Sequence, residues 1–90
     1  MRWVVGFTRD AEKFLGRNHM ERERVLDLIG LAIRKFSGEV ANVNIKKLKG
    51  AWRGYYRIKR GDLRIIASFD FERAHALIEH IDWRGSAYKE

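Results

Sequence analysis

The sequence contains no cysteine and no proline. Disulfide bonds and thiolate metal sites are therefore excluded, as are cis-proline turns and proline-rich linkers. No apolar run approaches the roughly 20 residues that a membrane-spanning helix needs. The first residues also lack the charged, then apolar, then small-residue order of a secretory signal. We therefore expect a cytoplasmic protein with no membrane association.

The size and composition are those of one small globular domain. The chain has 90 residues, of which 46% are hydrophobic. A chain of this length buries only a modest core, and it shows no internal repeat or low-complexity tract. We expect a single domain over residues 1–90.

The charge is unevenly distributed. Nineteen basic residues against twelve acidic ones give a net charge of +7. Residues 46–64 contain eight of the bases and a single acid, Asp62, so this segment carries the whole excess. A localised cationic segment indicates a polyanionic partner. The alternative is a solvated surface that only aids solubility, which would not require the charge to be gathered in one segment.

The first half of the chain predicts a strand followed by two helices. Residues 2–7 are β-branched and aromatic, as in a strand. Thr8 is a candidate N-cap for a helix that ends near residues 16–18. A second helix is predicted from about His19 to Phe36, because apolar residues recur there at spacings of three and four. Gly38 stands where a left-handed C-cap would end it.

The second half predicts three strands. Residues 52–59 and 63–69 alternate in polarity, and residues 74–82 form a third run. The order is thus β-α-α-β-β-β. It indicates an α+β fold with two N-terminal helices packed on one face of a mainly antiparallel four-stranded sheet.

A tight turn at Arg60-Gly61 would set the register of the central hairpin. That register pairs Arg57 with Arg64 on the face opposite the core. Like charges directly across a sheet are destabilising, so an anion held between the two arginines is a functional explanation. The alternative is that both side chains splay into solvent.

Two segments resemble the RelE/ParE toxins of toxin–antitoxin systems. Residues 47–59, KLKGAWRGYYRIK, together with 61–66, GDLRII, are similar to the central signature of that family. Residues 81–88, IDWRGSAY, resemble its C-terminal motif, in which Ile-Gly-His-Arg precedes a tyrosine. The resemblance extends over essentially the whole chain. It implies a RelE-like fold, an antitoxin partner in a hetero-oligomer, and action on the ribosome and its mRNA.

The resemblance also implies site residues. RelE-like members cleave mRNA with cationic residues around the scissile phosphate, joined by a C-terminal arginine and tyrosine. The matching catalytic positions are Arg57, Lys59, Arg64, Arg84 and Tyr88. The expected RNA-binding residues are Lys46, Lys47, Lys49, Arg53, Tyr55 and Arg60. No cofactor and no metal ion are expected.

The sequence departs from the family pattern at two positions. Arg57 stands where lysine is frequent, and Trp83 stands where many relatives have histidine. His80 could supply the missing acid or base. His75 and His80 are five residues apart, so on a straight strand they would face opposite sides and form a poor metal pair.

The chemistry implied is attack of the ribose 2′-hydroxyl on the adjacent phosphorus. Arginines suit the charge of the phosphorane because they stay protonated. Lys59 or Tyr88 could be the base only in a deprotonated form. Tyr55 could stack on a base or only shield the sheet, and Trp52 and Trp3 are expected to pack. Two other functions stay open: a ParE-like DNA gyrase poison without nuclease activity, and a catalytically decayed nucleic-acid-binding relative.

Overall fold

The protein was analysed as a computed structural model that describes residues 2–83. Two helices and five strands follow one another along this part of the chain. They are β1 (Val4–Phe7), α1 (Arg9–Arg17), α2 (Arg22–Phe36), β2 (Asn44–Lys47), β3 (Tyr56–Arg60), β4 (Leu63–Asp70) and β5 (His75–Trp83), with a short 3-10 helix at Gly50–Trp52. The α+β class is confirmed.

The helix boundaries follow local capping chemistry. The Thr8 hydroxyl accepts a hydrogen bond from the amide of Ala11, so Thr8 is the N-cap of α1 as predicted. Gly38 adopts a φ of +92° just after α2, as a left-handed helix end requires. α2 begins three residues later than predicted, since His19 turns the chain with a φ of +50°.

The sheet has five strands rather than the four predicted. Its order is β1-β5-β4-β3-β2, with β1 parallel to β5 and the other pairs antiparallel. The missed strand is β2, whose sequence Asn-Ile-Lys-Lys has a single apolar residue, Ile45. An edge strand buries little of either face, so it leaves almost no alternating pattern in the sequence, and lysines are typical there.

The strand predicted to begin at residue 52 begins at Tyr56. Gly50–Trp52 forms the 3-10 helix instead, and Gly54 takes a φ of +94°, which is incompatible with an extended strand. This segment folds back across the sheet, and the amide of Leu48 donates to the carbonyl of Tyr55.

Both faces of the sheet are partly covered. Ala11, Phe14, Val25 and Ile29 of the helices form one buried cluster with strand residues such as Ile58, Ile65 and Ile78. We call this side the helix face. Trp3 packs against the same cluster, as predicted.

On the opposite side, the open face, a second cluster forms around Ile66, which is 1% exposed. Leu48, Trp52 and Tyr55 cover it. Between residues 2 and 83, no helix is long and apolar enough to cross a bilayer.

Candidate functional site

The register of the β3–β4 hairpin differs from the predicted one by two residues. Lys59 lies directly opposite Arg64, and Arg57 lies opposite Ile66. The turn consists of Gly61-Asp62 rather than Arg60-Gly61, with a φ of +60° at Gly61. A shift of two residues keeps every side chain on its face. Arg57, Lys59 and Arg64 therefore share the open face as predicted, but the predicted pair of Arg57 and Arg64 is wrong.

Four cations from three adjacent strands line this part of the open face. Lys46 of β2 lies directly opposite Arg57 of β3. On the same face, this pair is the neighbour, along the strands, of the pair formed by Lys59 and Arg64. We call Lys46, Arg57, Lys59 and Arg64 the cationic cluster. Asn44 orients one member, because its side-chain oxygen accepts a 3.0 Å hydrogen bond from the Arg57 guanidinium.

The pair formed by Lys59 and Arg64 is electrostatically costly. Like charges directly opposite each other on a sheet repel, by about 0.2–1 kcal/mol at ordinary sites. In addition, the Arg64 Nε is buried, and among the described residues it has no hydrogen-bond partner. A buried donor without a partner typically costs about 1–3 kcal/mol. An anion bound between the two side chains would remove the repulsion between them.

The remaining predicted residues divide into three groups. Lys49 and Arg53 flank the 3-10 helix and are exposed, and Lys47 lies at the outer edge of the sheet. Arg60 lines a cleft of about 540 Å³ beside α2, with Arg24 and Asp27, and so is not part of the cationic cluster. Arg84 and Tyr88 lie outside the described residues.

Tyr55 is held in place by packing and by a carboxylate. Its ring meets Trp52 edge to face and covers Ile66, while its hydroxyl donates a 2.9 Å hydrogen bond to Glu79. The hydrogen bond to Glu79, together with the nearby negative charge, raises the pKa of Tyr55. The Trp52 ring likewise packs against the Ile66 cluster, as predicted. Both rings thus shape the floor of the open face beside the cationic cluster.

A histidine between two carboxylates adjoins the cluster. The Nδ1 of His80 lies 2.5 Å from a carboxylate oxygen of Asp10, and its Nε2 lies 3.5 Å from one of Asp82. Asp82 is directly opposite Arg64 in the sheet. Sequence reasoning considered His80 but missed its partner, because Asp10 is 70 residues away and no local pattern joins them.

The predicted orientation of the two histidines of β5 is wrong. The register between β4 and β5 shifts at Ile66 and Ala67, where Glu79 is an extra residue on β5. Such a bulge changes the alternation of side chains, so His75 and His80 both lie on the open face. Five residues of strand still separate them by about 16 Å.

The fold has known counterparts, although no family model and no curated protein sequence matches this chain. A chain of the RelBE2 toxin–antitoxin complex from Mycobacterium tuberculosis is 22% identical with a TM-score of 0.61, covering 93% of this chain and 100% of that one. YafQ from Escherichia coli is 15% identical with a TM-score of 0.63, covering 91% and 93%. A chain of the YoeB–YefM complex from Staphylococcus aureus is 20% identical with a TM-score of 0.64, covering 93% and 99%. The chain therefore has the RelE-like toxin fold.

Proposed function

We propose that this protein is the toxin of a toxin–antitoxin pair and cleaves mRNA on the ribosome. The observation that carries the proposal is the pair of Lys59 and Arg64, which face each other across β3 and β4 on the open face. The repulsion in this pair and the buried Arg64 Nε without a partner among the described residues are unfavourable, although Asp82, directly opposite Arg64 on β5, offsets part of the repulsion. A phosphate between the two side chains would accept hydrogen bonds from both, and the planar guanidinium suits it.

The predicted catalytic residues would have different roles in the attack of the 2′-hydroxyl on phosphorus. Arg57 and Arg64 stay protonated and would stabilise the charge that develops on the phosphorane. By resemblance, Arg84 adds a third guanidinium. The base that accepts the 2′-hydroxyl proton would be Lys59 or Tyr88 in its deprotonated form, and no metal ion takes part in this scheme.

The same arrangement explains a requirement for the ribosome. The cationic side chains of the cluster would hold a phosphate, but among the described residues none is assigned to fix the ribose beside it. Alignment of the attacking oxygen with the leaving oxygen is worth several orders of magnitude in rate. A ribosome that presents mRNA in one conformation would supply that alignment. Lys46, Lys47, Lys49 and Arg53 would add contacts to RNA phosphates.

The partner that restrains such an activity would be an antitoxin. Two of the similar structures are toxin–antitoxin complexes, RelBE2 and YoeB–YefM. An antitoxin segment rich in acidic residues would be complementary to the cationic cluster and would compete with RNA for it. In this proposal both proteins act in the cytoplasm as a hetero-oligomer.

The experiment uses purified protein, ribosomes programmed with a defined mRNA, and primer extension to locate breaks. We expect breaks at one fixed position relative to the ribosomal reading frame, and none in the same mRNA without ribosomes. An intact mRNA together with trapped gyrase–DNA complexes would instead support a ParE-like poison. An intact mRNA without gyrase complexes would support a catalytically decayed relative, and either result would overturn the proposal.

A further inference from the structure

His80 and Asp10 form a contact that the cationic cluster does not explain. Asp10 lies in the first turn of α1, and the His80 imidazole lies on β5 with 27% of its side chain exposed. The 2.5 Å contact joins the Nδ1 to the carboxylate, and this fixes the ring in one orientation. Imidazole oriented by a carboxylate is a common arrangement for proton transfer.

The other ring nitrogen of His80 faces Asp82. The Nε2 lies 3.5 Å from Asp82, which is directly opposite Arg64. His80 is two residues before Asp82 on β5, so it is a diagonal neighbour of Arg64. Diagonal neighbours lie about 7–8 Å apart at their backbones, within reach of two long side chains. A phosphate bound at Arg64 would therefore lie on the same face as His80, one row of the sheet away.

Both ring nitrogens face carboxylates. Among the described residues, the other charged groups nearby on the open face are Arg64 on β4, Lys59 and Arg57 on β3, and Glu79, which is bonded to Tyr55. The imidazole is thus held by carboxylates on the face that carries the cationic cluster.

We propose that His80 is the general acid of the cleavage reaction and that Asp10 is its positioning residue. This inference rests on the proposed function. The bond from the 2′-oxygen to phosphorus forms while the bond from phosphorus to the 5′-oxygen breaks. The 2′-hydroxyl proton goes to the base, Lys59 or Tyr88, and the Nε2 proton of His80 goes to the departing 5′-oxygen. The products are a 2′,3′-cyclic phosphate and a 5′-hydroxyl, and solvent returns a proton to His80.

The test is single-turnover cleavage of ribosome-bound mRNA across a range of pH. His80→Gln should lower the rate about 10²-fold, within the range typical of lost acid–base catalysis. The wild-type rate should pass through a maximum with pH, as an acid–base pair requires, and the falling limb should be absent in His80→Gln. Asp10→Asn should lower kcat and leave KM unchanged. His75→Gln, at the far end of β5, is the matched control and should behave like the wild type.

A modified mRNA separates an acid from a structural anchor. Sulfur in place of the scissile 5′-oxygen leaves without protonation, so this substrate should restore His80→Gln to near the wild-type rate. A role of His80 in fixing α1 to the sheet predicts an equal defect on both substrates, and this result would overturn the proposal. If a thermal melt shows that His80→Gln does not fold, the wild-type protein provides the test. The quantity measured is then the ratio of its cleavage rates on the two substrates across the pH range. A ratio that does not change with pH would then refute the acid role.

The same experiments distinguish a failure of the role of His80 from a failure of the proposed function. Wild-type protein that cuts mRNA, alongside a His80→Gln variant that cuts equally fast, refutes only the role of His80. Wild-type protein that cuts nothing refutes both.

Discussion

Replacing Arg64 by alanine should slow mRNA cleavage about 10²–10³-fold and leave the domain folded. Arg64 would donate to a phosphorane whose charge develops only in the transition state, so the loss should fall mainly on kcat. Arg64→Lys should recover only part of the rate, because lysine keeps the charge and loses the bidentate fork.

Arg64→Ala should leave the domain folded, because the relief of two unfavourable contacts offsets the lost packing. Truncation removes partly buried methylenes of the half-buried side chain, worth up to about 0.8 kcal/mol each when fully buried. It also relieves the repulsion from Lys59, about 0.2–1 kcal/mol, and removes the buried Nε, about 1–3 kcal/mol. Arg64→Ala removes two methylenes, so at most about 1.6 kcal/mol is lost against a gain of about 1.2–4 kcal/mol. The free energy of unfolding should therefore fall by no more than about 0.4 kcal/mol, which for a domain of this size lowers Tm by no more than about 2–3 °C.

The assay is single-turnover cleavage on programmed ribosomes, with thermal melting as the folding control. Arg73→Ala is the matched variant, since Arg73 is exposed in the turn before β5 and its loss changes the net charge equally. Arg73→Ala should cleave at the wild-type rate. An Arg64→Ala protein that melts normally and also cleaves at that rate would refute the role assigned to Arg64.

Three further predictions follow from the same structure. Binding to ribosomes should weaken steeply as salt rises, because the cationic residues release counterions; an affinity that stays constant in a salt titration would contradict this. Ile58→Ala should lower the free energy of unfolding by about 2–5 kcal/mol in a denaturant titration, since Ile58 is 0% exposed, and a loss below about 1 kcal/mol would contradict its place in the core. Glu79 raises the pKa of Tyr55, so the stability that this contact adds should be present below the ordinary tyrosine pKa and lost as pH rises through the raised value. Absorbance titration should show a Tyr55 pKa that falls in Glu79→Gln, and an unchanged pKa would argue against the contact.

The elements of the fold that were predicted from the sequence are those in which apolar residues recur at a regular spacing. In α2 and β4 the apolar residues recur at helical and strand spacing, so the existence of both elements could be inferred from the sequence pattern. The segment 52–55 was wrongly predicted as the start of a strand, as a continuation of the alternation seen from Tyr56 to Lys59, whereas Gly54 has a positive φ. Its apolar residues are buried by folding over Ile66, a tertiary contact that periodicity does not encode.

In the candidate site, too, some features could be predicted from the sequence and others could not. The side on which Arg57, Lys59 and Arg64 lie follows from strand alternation, which a register error of two residues does not disturb. The neighbour of each residue does not follow from alternation, since it depends on which residues form the turn. The contact between Asp10 and His80 depends on how α1 meets β5 and on the bulge at Glu79, so the sequence pattern holds no sign of it.

The observed register changes the chemistry available at the phosphate. A pair of two arginines would be a permanently charged clamp, because guanidinium does not lose its proton in proteins. In the structure, the residue directly opposite Arg64 is Lys59, whose amine can exist without its proton. One side of the proposed phosphate site therefore carries a fixed charge while the other can exchange a proton. Asp82 lies opposite Arg64 on β5, the strand on the other side of β4, and it contacts His80. In the proposed mechanism, a proton acceptor and a proton donor would therefore flank Arg64 on the two neighbouring strands, as an in-line displacement at phosphorus requires of its attacking and leaving oxygens.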